Sequence, residues 1–353
     1  NMAKISLCMI VKNEEDVIER CLQSVCNLVD EIIIVDTGSK DNTKQIAKKF
    51  TDKIFDFTWC DDFSKARNYA ISKASYEYIM WLDSDDVVPK ETFDFLLKQK
   101  QKLTKDCYML KYNVAFDNEK PTFSFYRERI LKNNESCKFV GAVHECIVPF
   151  GEIEKFNVAI NHKKIRVGDT NRNLKIYNKL KKQRKFNARE QYYYSRELFD
   201  HKKYKQCITN LKKLLKIQDV WVENRIESLT LLYDCYLVCG ENEKAVSYLF
   251  QTFYYDTPRA NVCCKIADYF YSNKMYQQSV YWYKQATLAK DVIDKWGFVE
   301  QVYYNYYPYM GLCCSYFYLK DYQKSNYYNE KAGEIKQTNE IIGNRELLKH
   351  LIK

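Results

Sequence analysis

At 353 residues and 46% hydrophobic content the chain is long enough for about two domains with real cores, which excludes an extended or disordered protein. No run approaches the roughly 18 uncharged apolar residues that span a bilayer, and a strand-like segment stands where a signal peptide would, so no transmembrane segment and a cytoplasmic location are expected. The formal charge of +10 suits an anionic ligand or an acidic partner, and without a nucleic-acid-reading motif no nucleic-acid partner is expected.

Residues 5–11, 31–36, 53–57 and 77–83 are short, apolar and rich in β-branched or aromatic side chains, the mark of buried strands. Between and after them, residues 15–26, 42–50, 63–74 and 90–100 carry helical patterns. This alternation predicts right-handed βαβ units and a Rossmann-like, mostly parallel α/β sheet with helices on both faces. Further strands are expected at 107–116, 122–130, 138–144 and 155–160, with fewer helices between them, so the sheet is mixed in its second half.

From about Asn171 onward strands give way to aromatic-rich helices. The expected division is an α/β domain over 1–168 and an all-α helical-repeat domain over 169–353. The basic run 175–189 alternates with Ile176, Tyr177, Leu180 and Phe186 at helical spacing, as the solvated face of an amphipathic helix does. Beyond it, Tyr204-Lys-Gln-Cys207, Asn242-Glu-Lys-Ala245, Tyr276-Gln-Gln-Ser279 and Tyr322-Gln-Lys-Ser325 recur at intervals of 38, 34 and 46 residues. Each has a small residue at its fourth position. Seven residues further on stand Leu214, Thr252, Ala286 and Ala332, and twelve residues before stand Ser195, Tyr233, Ala267 and Cys313. A period near 34 with small residues at such offsets is the tetratricopeptide (TPR) signature, and about four helical hairpins are expected, the last interval carrying an insertion around 290–303. An ordinary helical bundle is the alternative. The cysteines are scattered, with Cys235, Cys239, Cys263, Cys264, Cys313 and Cys314 on apolar helical faces, and they predict buried thiols; no Cys-x-x-Cys pair supports a structural zinc site.

The strand-like run 77–82 stops at Asp83, Asp85 and Asp86, and ligands of parallel sheets collect at the carboxyl ends of the strands. Carboxylates this close repel one another unless a cation is shared, and hard oxygens suit Mg²⁺ or Mn²⁺ with substrate phosphates completing the shell. An acidic loop without a metal is the plainer alternative. At the end of the first strand, Val11-Lys-Asn13-Glu14 offers polar groups to a base or ribose, or equally a helix cap. Asp36 closes the second strand before Thr37-Gly38-Ser39, where a carboxylate accepts from a pyrimidine N–H or ribose hydroxyls, or heads an Asx turn.

Three blocks, Val11-Lys-Asn-Glu-Glu15, Val35-Asp-Thr-Gly-Ser-Lys-Asp-Asn-Thr43 and Leu82-Asp-Ser-Asp-Asp86, resemble in order and spacing the nucleotide-diphospho-sugar transferases of glycosyltransferase family 2, over about residues 4–162. Asp62-Phe-Ser-Lys-Ala-Arg-Asn68 and Gly141-Ala-Val-His-Glu145, followed by His162 and the repeats, resemble the subgroup that glycosylates peptides, including bacteriocin S-glycosyltransferases of the sublancin-synthase type. The resemblance implies a GT-A fold, a UDP-sugar donor, and Mn²⁺ or Mg²⁺. It places Val11, Asn13, Glu14, Asp36 and Ser39 around uracil and ribose, and Arg67 and Asn68 near the nucleotide or diphosphate. Asp83 would contact ribose or sugar, and Asp85 and His162 would ligate the metal. Family 2 enzymes invert, so a base is expected opposite the leaving group. Glu145 and His144 stand nearest by motif position, although the Glu-Asp pair of polysaccharide-making relatives is missing, and Asp86 is a further catalytic candidate.

The expected activity is therefore inverting, metal-dependent transfer of a hexose or N-acetylhexosamine to a Cys, Ser or Thr side chain of a peptide or protein held by the repeats. The alternatives are transfer to a lipopolysaccharide or cell-wall precursor and a non-catalytic repeat scaffold. Tyr-rich repeat surfaces are compatible with a homo-oligomer.

Overall fold

The computed structural model describes residues 2–165, 169–292 and 297–352. It divides into two compact units, Asn1–Lys185 and Phe186–Lys353.

In the first unit β1 (Ile5–Val11) lies between β2 (Glu31–Asp36) and β4 (Tyr78–Trp81), all parallel, and β3 (Ile54–Asp56) extends the sheet beyond β2. Every residue of β2 and β4 is buried, as strands covered on both faces must be. Helix α1 (Ile18–Val25) buries Ile18, Cys21, Leu22 and Val25, one face of a 3.6-residue period. Helix α2 is short (Thr43–Ala47), and α3 (Phe63–Ile71) starts at Asp62, whose side chain accepts from the Lys65 backbone N–H.

Beyond β4 the chain adds β5 (Asp86–Val87), α4 (Lys90–Gln99), β6 (Cys107–Asp117), β7 (Lys120–Lys132) and, later, β10 (Ile153–His162). β7 runs antiparallel to both β4 and β6, β10 parallel to β6, and β5 antiparallel to β10, giving the order β3-β2-β1-β4-β7-β6-β10-β5. The expected mostly parallel sheet with a mixed second half is what forms. The strand expected over 138–144 shrinks to β8 (Phe139–Val140), which pairs with β9 (Cys146–Ile147) in a separate ribbon. Gly141 at φ +96° and His144 at φ +52° turn the chain there.

Helix α5 (Arg172–Gln183) belongs to this unit: it buries Leu174, Ile176 and Tyr177, and the Tyr177 hydroxyl donates to the Val143 carbonyl at 3.4 Å. The unit therefore runs to Lys185, past the boundary expected at 168. Lys175, Lys179, Lys181 and Lys182 face solvent on the same helix.

The second unit contains the hairpins α6 (Ala188–Asp200)/α7 (Tyr204–Leu214), α8 (Val222–Val238)/α9 (Asn242–Gln251), α10 (Ala260–Ser272)/α11 (Tyr276–Leu288) and α12 (Tyr306–Tyr318)/α13 (Tyr322–Ile335), followed by α14 (Asn339–Leu351). Each second helix begins at the repeated tetrapeptide. Cys207, Ala245, Ser279 and Ser325 are fully buried where the helices cross. The Cys207 thiol lies 3.2 Å from the Ser195 carbonyl, and the Ser325 hydroxyl donates to the Cys313 carbonyl at 2.9 Å, each twelve residues back. The insertion around 290–303 falls partly outside the described residues. Of the helical cysteines, Cys235, Cys263, Cys264 and Cys313 are buried and Cys314 is half-buried, but Cys239 is exposed because it caps the end of α8. No helix among the described residues is long and apolar enough to cross a membrane.

Candidate active site

Parallel register decides which residues meet. Val11 stands opposite Asp36, and Trp81 opposite Cys8, so Asp83 falls two residues past β4, close to the end of β1. These strand ends open into a cavity of about 590 Å³, within the range of small-molecule sites. Val11, Asn13, Glu14, Arg67, Asp83, Asp85, His144, Glu145 and His162 line it. Asp36, Ser39, Asn68 and Asp86 do not.

The acidic loop is held by its own backbone and by β10. The Asp86 N–H donates to the Asp83 carbonyl at 3.0 Å, and the Asp83 N–H to Asp86 Oδ2 at 3.0 Å. His162 pairs with Asp86 across the β10–β5 ladder, which brings His162 Nδ1 to 3.2 Å from Asp85 Oδ1 and 3.3 Å from Asp86 Oδ1. Burial alone would lower the His162 pKa, but the bonds and charges of Asp85 and Asp86 outweigh it and push the value up to about 10. Asp85, Asp86 and His162 offer ligand atoms all within 4.8 Å of one another, two hard oxygens and one imidazole, a set that suits Mn²⁺ or Mg²⁺. Asp86, however, is fully buried, bonded to Arg129 and to the Tyr112 hydroxyl. It does not line the cavity and both its oxygens are bonded inside the fold, which sets it behind Asp83 and Asp85 and apart from the catalytic role expected of it.

Arg67 joins the loop to the far wall. Its Nη2 donates to Asp83 at 2.6 Å and its Nε to Glu145 at 2.6 Å, and it is itself nearly buried. Burial would raise the Asp83 pKa, but the Arg67 and Arg129 charges hold it at about 2, so this carboxylate is ionised at any physiological pH. His144 sits beside Glu145 with its ring stacked on Tyr177.

On the nucleotide side expected from sequence, Asn13 adopts φ +55°, its N–H donating to Ser39 Oγ at 2.9 Å and its side-chain oxygen accepting from the Lys40 N–H at 2.7 Å. Asn13 and Ser39 thus stitch two loops together, and neither caps α1, whose N-cap is Val17. Asp36 accepts from the Gly38 and Ser39 N–H groups at 3.0 Å through Oδ2, while its buried Oδ1 has no hydrogen-bond partner among the described residues. Asn68, expected near the diphosphate, instead clamps the Phe139 backbone: its amide donates to the carbonyl at 2.9 Å and accepts from the N–H at 2.8 Å. Asn68 thus serves the β8 backbone and does not line the cavity.

Sequence reading missed the groups that complete the wall. Phe63, Lys164 and Arg172 also line the cavity, and the Arg172 guanidinium lies 4.7 Å from the Phe63 ring. It also missed Arg129 and Tyr112; the three consecutive charged residues Arg127-Glu128-Arg129 inside β7 were the available signal.

The family model for glycosyl transferase family 2 matches residues 6–151, from β1 through Asp83, Asp85 and Glu145. This stretch is similar to glycosyltransferase family 2. The chain is 30% identical over 286 residues to the SPbeta prophage-derived glycosyltransferase SunS of Bacillus subtilis, across 75% of this chain and 65% of that one. A 146-residue stretch is 35% identical to a TPR repeat-containing protein of Synechococcus elongatus, across 41% of this chain and 36% of that one. The chain thus spans about a third of one relative and just under two thirds of the other. Among solved structures, the chain is similar to S. aureus TarS 1–349, with a TM-score of 0.37 and 15% identity over 78% of this chain and 91% of that chain.

Proposed function

We propose that this chain is an inverting, metal-dependent glycosyltransferase that moves a hexose or N-acetylhexosamine from a UDP-sugar to a side chain of a peptide or protein. The observation that carries the reading is the meeting of Asp83, Asp85, His162 and Glu145 around one cavity at the carboxyl ends of the strands.

Asp85 and His162 would hold the cation, which when bound would neutralise charge growing on the departing diphosphate. The buried Oδ1 of Asp36, without a hydrogen-bond partner among the described residues, is an acceptor suited to a pyrimidine N–H or a ribose hydroxyl. Val11, Asn13, Glu14 and Ser39 shape that end of the cleft, the last by fixing Asn13. Asp83, ionised and oriented by Arg67, accepts from hydroxyls of ribose or sugar. Glu145 is the base candidate, with His144 beside it, and a Cys acceptor asks less of a base than Ser or Thr because a thiol ionises more readily. The helical hairpins are assigned to the acceptor, since surfaces of stacked repeats suit extended peptides.

Calorimetry of UDP binding with and without Mn²⁺ tests the donor half of the reading. Binding that requires the ion, and that Asp85→Asn abolishes, supports it. UDP binding that ignores Mn²⁺ contradicts the metal assignment.

A further inference from the structure

Arg129 is the extra residue of a β-bulge. Across the β6–β7 ladder Tyr108 pairs with Ile130 and Met109 with Glu128, so Arg129 has no partner between them. Bulges re-aim side chains, and this one sends a guanidinium into a fully buried slot between Trp81, 3.9 Å from its ring centre, and Tyr112, 4.3 Å away. Nη1 lies 3.1 Å from both Asp86 Oδ2 and the Trp81 carbonyl, while Nε and Nη2 have no hydrogen-bond partner among the described residues. A buried arginine with two unused donors is costly unless its charge is needed nearby. Asp86 is that need. The Tyr112 hydroxyl donates to Asp86 Oδ1 at 2.7 Å and stands 2.8 Å from His162 Nδ1, so one hydroxyl fixes both the buried acid and the imidazole.

The geometry points to Tyr112 and Arg129 as positioning residues for the cation site: they hold Asp86 beneath the cavity and His162 at its wall, so that Asp85 and His162 are the side chains presented to a divalent cation. This resolves the group of three possible ligands into two ligands and an anchor. It rests on the metal-dependent reading above. Partners behind metal ligands typically change metal affinity about 10–100-fold when removed.

The test is Mn²⁺ binding in the presence of UDP, followed by calorimetry and by the electron paramagnetic resonance of bound Mn²⁺, on the full chain. Absence of binding in the wild type removes the metal-dependent reading, and the inference with it. If the wild type binds, Tyr112→Phe, which keeps the ring against Arg129, is expected to weaken Mn²⁺ by about tenfold and alter its spectrum. Its turnover is expected to recover at high Mn²⁺, a rise in metal KM without loss of kcat. A folded Tyr112→Phe with Mn²⁺ affinity within twofold of wild type overturns the inference. The double variant Asp86→Asn/Arg129→Gln is expected to bind Mn²⁺ better than Arg129→Gln alone, because the buried charges leave together. If the double variant loses Mn²⁺ as completely as Asp85→Asn, Asp86 is itself a ligand and the inference fails.

Discussion

Arg67 and Glu145 form a nearly buried ion pair at 2.6 Å across 78 residues of sequence, and the same guanidinium holds Asp83 at 2.6 Å. Removing it leaves the nearly buried Glu145 without the cation it bonds and takes from Asp83 the larger of the two arginine charges that hold it ionised. Arg67→Ala is expected to lose about 3 kcal/mol of stability in urea unfolding and at least tenfold in turnover. Arg67→Lys, with one ammonium in place of a fork, should keep one of the two contacts and fall between Ala and wild type.

Asp36→Asn separates binding from folding. The amide oxygen can still accept from Gly38 and Ser39, so the melting temperature should stay within about 2 °C of wild type, while the position of Oδ1 becomes a donor. UDP affinity by calorimetry is expected to drop at least tenfold, as follows when a buried acceptor is inverted. Unchanged affinity would remove Asp36 from the nucleotide site.

Stability should depend on pH through Glu31. Burial alone would raise its pKa, but bonds from Lys53, from the Ser6 hydroxyl at 2.5 Å and from Ser75 bring it down to about 2 from an ordinary 4.5. Because the folded value lies below the unfolded one, the stabilisation is fully present above pH 4.5 and is lost as pH falls through 2. Glu31→Gln is expected to cost about 2–3 kcal/mol at pH 7 in urea unfolding, with the gap from wild type shrinking steadily below pH 4.5.

The repeat register was legible because it is a packing requirement. Where two helices cross, only Cys207, Ala245, Ser279 and Ser325 fit, and their spacing survives in sequence even though Tyr233 and Leu214 break the strict pattern. The strand ends were legible for a similar reason, since apolar runs stop where polar groups face the cavity. Two-residue β5 was not, because its pairing of Asp86 with His162 spans 76 residues and leaves no local pattern. Nor was the fate of Asn68, whose amide could serve a ligand or a neighbouring backbone equally well until β8 is placed beside α3. Arg129 illustrates the same limit: only the bulge shows which way a charged residue in a buried strand points.

Overpacking tests that register. Ala245→Leu at the α8–α9 crossing is expected to cost about 1–3 kcal/mol in thermal or urea unfolding, while Glu243→Gln, exposed two residues earlier in the same helix, should stay within about 0.5 kcal/mol.

The most direct measurement is release of free nucleotide from a panel of nucleotide sugars, with Mn²⁺, with Mg²⁺ and with chelator, comparing the wild type with Asp85→Asn. Metal-dependent release from one UDP-sugar is expected, silent in chelator and lost in Asp85→Asn. No release from any donor, together with no UDP binding, would contradict it and favour a repeat scaffold whose α/β domain only folds.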